Sequence, residues 1–160
     1  MQRYAVLFFV VAASLFHPDA ARADLTAFLG ANTNAPSRTL QGFAAGLSLL
    51  VLGMEFEYTN TSADDTAVAP GLKTGMFNLL LQTPFGVSGL QFYGTIGAGL
   101  YRETGNGSQE TNGGTNTGGG VKVTLAGPLR LRLDYRVFAL RGSPQQERQY
   151  RFYAGLNMGF

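Results

Sequence analysis

The run Arg151-Phe152-Tyr153-Ala154-Gly155-Leu156-Asn157-Met158-Gly159-Phe160 alternates strictly between two kinds of side chain. Successive residues of a strand point to opposite faces, so Phe152, Ala154, Leu156, Met158 and Phe160 share one face, while Arg151, Tyr153, Gly155, Asn157 and Gly159 share the other. One face suits hydrocarbon and the other a polar interior. A soluble sheet can show the same period, but length separates the two cases. A strand tilted across a bilayer needs about 9–11 residues, whereas strands of soluble domains usually run about 5–6.

The segment at 129–138, LRLRLDYRVF, repeats the pattern more sharply. Leu129, Leu131, Leu133, Tyr135 and Val137 fall on one side, and Arg130, Arg132, Asp134 and Arg136 on the other. Working outward, alternating or apolar runs recur at 25–31, 40–49, 53–60, 72–82, 90–102, 118–125, 129–138 and 149–160. Eight runs are an even number, as a closed antiparallel barrel with both ends on one side requires. Long polar connections at 32–39, 61–71, 103–117 and 139–148 alternate with brief ones near Leu50, at 84–89 and at Ala126-Gly127-Pro128. That asymmetry matches outer-membrane barrels, with long loops outside and tight turns in the periplasm. The expected fold is therefore all-β, an eight-stranded antiparallel up-and-down transmembrane β-barrel. The Gly-rich stretch at 105–120 lacks a GK[ST] ending and a following helix, so it reads as a surface loop rather than a phosphate cradle.

The 160 residues include no Cys, no Trp, one His and 22 Gly, and only 14% are charged. That is well below the roughly 25% of ordinary soluble domains. At the start, Arg3 precedes an apolar segment at 4–16, and Ala21-Arg22-Ala23 has the small-x-small form of a signal peptidase site. Residues 1–23 are expected to be a cleaved export signal and 24–160 the barrel domain. The apolar segment is shorter than the ~20 residues of a spanning helix. The segment at 43–56 is also too short and is broken by Gly46, Ser48 and Gly53. Without Cys there is neither a disulfide staple nor a lipoprotein anchor.

Facing follows strand by strand. Met54, Phe56 and Tyr58 are expected outward with Glu55 and Glu57 inward; Leu90, Phe92, Ile96 and Leu100 outward; Val121, Val123 and Leu125 outward with Lys122 inward. The strand at 72–82 would turn Phe77, Leu79 and Leu81 out but also bury Met76 and Leu80. Collected together, the expected interior charges are Glu55, Glu57 and Asp134 against Lys122, Arg130, Arg132, Arg136 and Arg151. An eight-stranded barrel has room only for its own side chains, so these must pair rather than line a channel. Glu55 and Glu57 are expected to meet Arg130, Arg132 or Lys122, and Asp134 to meet Arg136 or Arg151. A nucleic-acid patch is not expected: the arginines alternate inward, and loss of Arg3, Arg22 and Asp19 with the export signal leaves the chain near neutrality.

The only histidine, His17, lies within the export signal. The remaining chain can form no Ser-His-Asp triad, Cys-His pair or His-ligated zinc site, so no enzyme and no cofactor are expected. Asp64-Asp65 lack the further oxygen ligands of a calcium site and read as a solvated turn.

With these residues in place, the terminal segment resembles the assembly signal of outer-membrane barrels, with Tyr153, Gly155, Met158 and Phe160 in its four positions. MEFEYTN (54–60), FNLLLQTP (77–84) and FYGTIGAGLY (92–101) resemble the third, fourth and fifth strands of the small OmpA-like or opacity-type barrel family. The resemblance implies insertion by the barrel-assembly machinery, contact with outer-membrane lipid and lipopolysaccharide, and a monomer with a structural or surface-interaction role through its loops. It does not imply one activity, since members include anchors, adhesins and narrow pores. Outer-membrane enzymes on small barrels work through a histidine that is missing here. No peptidoglycan-binding segment follows Phe160 in this sequence, and the aromatic belt has no Trp. Two other readings stay open: a narrow transport barrel, and a soluble lipocalin-like calyx with every facing reversed, placing Phe160, Leu131 and Ile96 around a ligand.

Overall fold

The computed structural model describes residues 21–34, 36–64, 66, 68–83, 89–105 and 107–160. Among them, eight strands follow in order: β1 (Ala21–Asn32), β2 (Arg38–Leu49), β3 (Leu52–Thr61), β4 (Gly71–Gln82), β5 (Leu90–Gly105), β6 (Ser108–Ala126), β7 (Leu129–Leu140) and β8 (Arg148–Gly159). Each pairs antiparallel with its neighbour, and β8 returns to β1 from Asp24↔Gly159 to Asn32↔Arg151, closing the barrel without a free edge. Closure satisfies every ladder between strands, which a sheet standing in hydrocarbon requires. Both ends of the described chain and the β2–β3, β4–β5 and β6–β7 connections lie at one end; the other four connections lie at the opposite end.

Alternation decides what each face meets. On the outside stand Leu25, Leu29, Leu47, Met54, Phe77, Leu79, Leu81, Phe92, Ile96, Leu100, Leu156 and Phe160, all exposed. On β5 the outward run is apolar from Leu90 to Leu100, then turns polar at Arg102 and Thr104. Gln41, Asn60 and Lys73 make the same change on β2, β3 and β4, and Arg148 does so on β8. An apolar band bounded by polar residues matches a hydrocarbon core. Ile96 and Phe160 are 61% and 70% exposed, so the calyx reading, which needs them around an internal ligand, is excluded.

All strands but β8 are longer than the sequence runs, and one difference is large. Residues 103–117, expected as a loop, and the Gly-rich stretch at 105–120 instead form the upper parts of β5 and β6, paired continuously to a turn between Gly105 and Ser108. Backbone hydrogen bonds need no side chain, and the absent ones serve the interior. A Cβ on Gly120 would lie 2.2 Å from the Leu133 carbonyl oxygen and 2.4 Å from the Tyr93 hydroxyl, so glycine there admits the Tyr93 ring. β1 also begins earlier than expected, at Ala21. The rest of the expected export signal lies outside the described residues.

Candidate functional site

Side chains of the inward faces are buried at several heights between the turn end and the loop end. At the turn end, Lys122 Nζ lies 2.6 Å from Asp24 Oδ2, bridging β6 to β1. Arg130 is only half-buried there, 3.5 Å from the Gln91 side-chain oxygen. Asn157 donates to Thr26 Oγ1 at 2.9 Å.

At mid-height β3 and β7 send charges, and β5 and β8 tyrosine hydroxyls, to one point. Glu55 on β3 accepts from both terminal nitrogens of Arg132 and, at 3.0 Å, from Arg136 Nη2. Asp134, between the two arginines on β7, takes Arg132 Nη2 at 3.0 Å and Arg136 Nε at 2.9 Å. Arg136 Nη1 reaches Glu57 Oε2 at 3.0 Å. Two tyrosines complete the ring: Tyr93 accepts from Arg132 Nε at 2.7 Å and donates to Asp134, and Tyr153 donates to Glu57 Oε2 at 2.9 Å. Arg132 lies over the Tyr93 ring at 4.9 Å, and Arg136 over that of Tyr153 at 5.7 Å. Period 2 puts Arg132, Asp134 and Arg136 on one face of β7, while Glu55 and Glu57 share one face of β3 across the lumen. Arginine suits this place because its planar fork can engage two carboxylates at once.

Toward the loops, apolar clusters join the buried polar side chains Asn32, Arg38, Thr74 and Gln149. Leu72, Met76, Tyr101, Phe138 and Leu140 form one buried cluster, and Phe28, Leu40, Ala44 and Tyr153 another. Phe28 stacks on Tyr153 with centroids 4.1 Å apart. A Cβ on Gly155 would come within 2.7 Å of Phe28 Cβ, so this position of the expected assembly signal also has a packing reason to be glycine. Arg151 sits in this half, its guanidinium 4.0 Å from the Phe138 ring centroid and Nη1 3.0 Å from Thr74 Oγ1. Its Nε and Nη2 have no hydrogen-bond partner among the described residues.

Glu55 meets Arg132 and Asp134 meets Arg136, as expected, but other pairings differ. The acid on Lys122 is Asp24 rather than Glu55 or Glu57; Arg130 forms no ion pair among the described residues; and Asp134 also meets Arg132. Strand tilt sets these partners, because it decides which inward residues share a height, and facing alone does not reveal it. Tyr93 alternates with the outward Phe92 and so faces inward, but its hydroxyl contact to Asp134 could not be read from that pattern. Asp24 has the same parity as inward Thr26 and Phe28, which was the available signal for its position.

Beyond the apolar band the barrel ends in a tied mouth. Glu110 accepts from the Ser143 amide at 2.8 Å and from Asn112 at 2.6 Å, and Glu103 accepts from the Gln145 amide at 3.2 Å. The Ser143 amide holds Glu110 below the usual carboxylate range, whereas partial burial pushes Glu103 above it. Arg38 donates to the Pro70 carbonyl. Asp64 accepts from the Thr66 amide at 3.0 Å and pairs with Ala69 in a local bridge, while Asp65 lies outside the described residues. Among the described residues no group of three or more His, Cys, Asp or Glu side chains could hold a metal ion.

No family model matches the sequence, and no curated protein does. Solved structures do. The N-terminal β-barrel domain of Pseudomonas aeruginosa OprF is similar with a TM-score of 0.66 at 16% identity, over 87% of this chain and 97% of that one. Neisserial surface protein A is similar with a TM-score of 0.60 at 18% identity, over 88% and 96%. Ail, the attachment invasion locus protein of Yersinia pestis, is similar with a TM-score of 0.54 at 11% identity, over 88% and 99%. The chain has the eight-stranded barrel fold of these proteins across nearly all of each.

Proposed function

We propose that the chain is an outer-membrane protein that holds its loops at the cell surface, with a lumen closed to solutes and no catalytic role. The observation that carries this reading is the interior: the residues that could line a passage are instead engaged with one another, from Lys122–Asp24 through the Glu55–Arg132–Asp134–Arg136–Glu57 ring to the Leu72–Phe138 cluster. An eight-stranded barrel has just enough room for that filling. Export through residues 1–23 fits this function, since a chain beginning at Asp24 retains every β1–β8 pair. Recognition of Tyr153, Gly155, Met158 and Phe160 by the barrel-assembly machinery would follow, and the folded unit would act as a monomer.

Single-channel recording in planar bilayers tests it. A silent bilayer after insertion, verified by the heat-dependent gel shift of the same preparation, is the expected result. Stable, reproducible conductance steps would favour a narrow transport barrel instead.

A further inference from the structure

All carboxylates on the described strands point inward, yet Lys73 and Arg102 point outward. They are direct cross-strand partners on β4 and β5, at the loop-side edge of the apolar band. Side chains in that relation have Cβ atoms about 4.5–5.5 Å apart, and like charges so placed repel. Arg102 is anchored by Nε to Thr111 Oγ1 at 3.3 Å, which leaves its terminal nitrogens free to face outward. Lys73 also stands at one end of a shallow groove of about 750 Å³ on the outer wall. Gln41 and Asn60 continue the polar end of that groove, and Ala27, Leu29, Ala154 and Leu156 form its apolar floor. Lys73 at the groove's polar end, with Arg102 beside it on β5, complements a phosphate head on a hydrocarbon chain.

We propose that Lys73 and Arg102 grip the phosphate of a membrane lipid, with an acyl chain of that lipid lying in the groove over Ala27 and Leu156. A bound phosphate relieves the Lys73–Arg102 repulsion through charge-assisted hydrogen bonds. The groove supplies contact that free phosphate cannot use. The proposal rests on the membrane reading above and adds to it a defined lipid site.

The test uses the full chain refolded in uncharged detergent, titrated with lipid A carrying its two phosphates or with the dephosphorylated form, and read by native mass spectrometry. The expected result is a preference for the phosphorylated lipid of about tenfold or more, reduced to near parity in the Lys73→Gln/Arg102→Gln double variant. Ala27→Trp, which fills the groove and leaves both charges, is expected to weaken binding as well. Unchanged preference in either variant would overturn the proposal, as would displacement of the lipid by equimolar inorganic phosphate, which would place the chemistry on free phosphate. The heat-dependent gel shift separates the two levels. A chain without the shift contradicts the membrane barrel itself, whereas a shifted barrel with no lipid preference contradicts only this site.

Discussion

The two halves of the lumen solve one packing problem by opposite chemistry. Around Glu55 and Asp134 the filling is ionic, and each carboxylate is shared by two arginines. Closer to the loops, apolar clusters around Met76 and Phe138 pack against Arg151, whose anchor is a threonine hydroxyl and a ring face. Desolvated charges are tolerated when their partners are complete, and removing one partner is far more damaging than replacing a charge that has none. The difference teaches that burial alone does not rank these arginines. Their carboxylate partners do.

The largest loss is expected at the ionic ring. Arg136→Leu would leave Glu57 without its arginine and remove one of the two arginines on Asp134 and on Glu55, at a cost of about 3–5 kcal/mol. Urea unfolding in lipid vesicles, followed by the gel shift, measures it. In the apolar half, Met76→Ala should cost about 2–5 kcal/mol by leaving a cavity among Leu72, Tyr101 and Phe138. On the outer wall, Leu131→Arg should cost about 2–4 kcal/mol if its side chain meets the bilayer midplane. Arg151→Met is the sharpest contrast: similar in reach, without charge, and expected to change stability by less than about 1 kcal/mol. A loss at Arg151→Met equal to that at Arg136→Leu would erase the distinction between the halves.

The smallest effect concerns the mouth. Glu110 has a depressed folded pKa, so its tie to the Ser143 amide is present above the ordinary carboxylate range and lost as pH falls through the lower, folded value. Glu103, its cross-strand partner, is shifted the other way and takes up its proton first on acidification. The Ser143 and Gln145 amide resonances should therefore titrate in separate steps, with Gln145 moving at the higher pH.

The fold was largely legible because period 2 over ten or more residues leaves few alternatives. The facing of β3, β7 and β8 followed from Glu55, Arg132 and Tyr153 alone. What could not be read has a common origin. Glycine carries no facing information, so the part of β6 before Gly118 was expected as a loop, while Gly118 and Gly120 of the same strand are what admit Arg136 and Tyr93. Ion partners depend on stagger around the ring, a property of all eight strands together. Lys122–Asp24 is such a contact, joining residues 98 positions apart.

Direction of the wall is the central claim, and β7 measures it most directly. A spin label placed in turn at each position from 129 to 138 reports collision with oxygen dissolved in the bilayer. High accessibility at 129, 131, 133, 135 and 137, with low values between them, is the predicted pattern. The opposite phase, with labels at 132, 134 and 136 meeting lipid, would contradict the account.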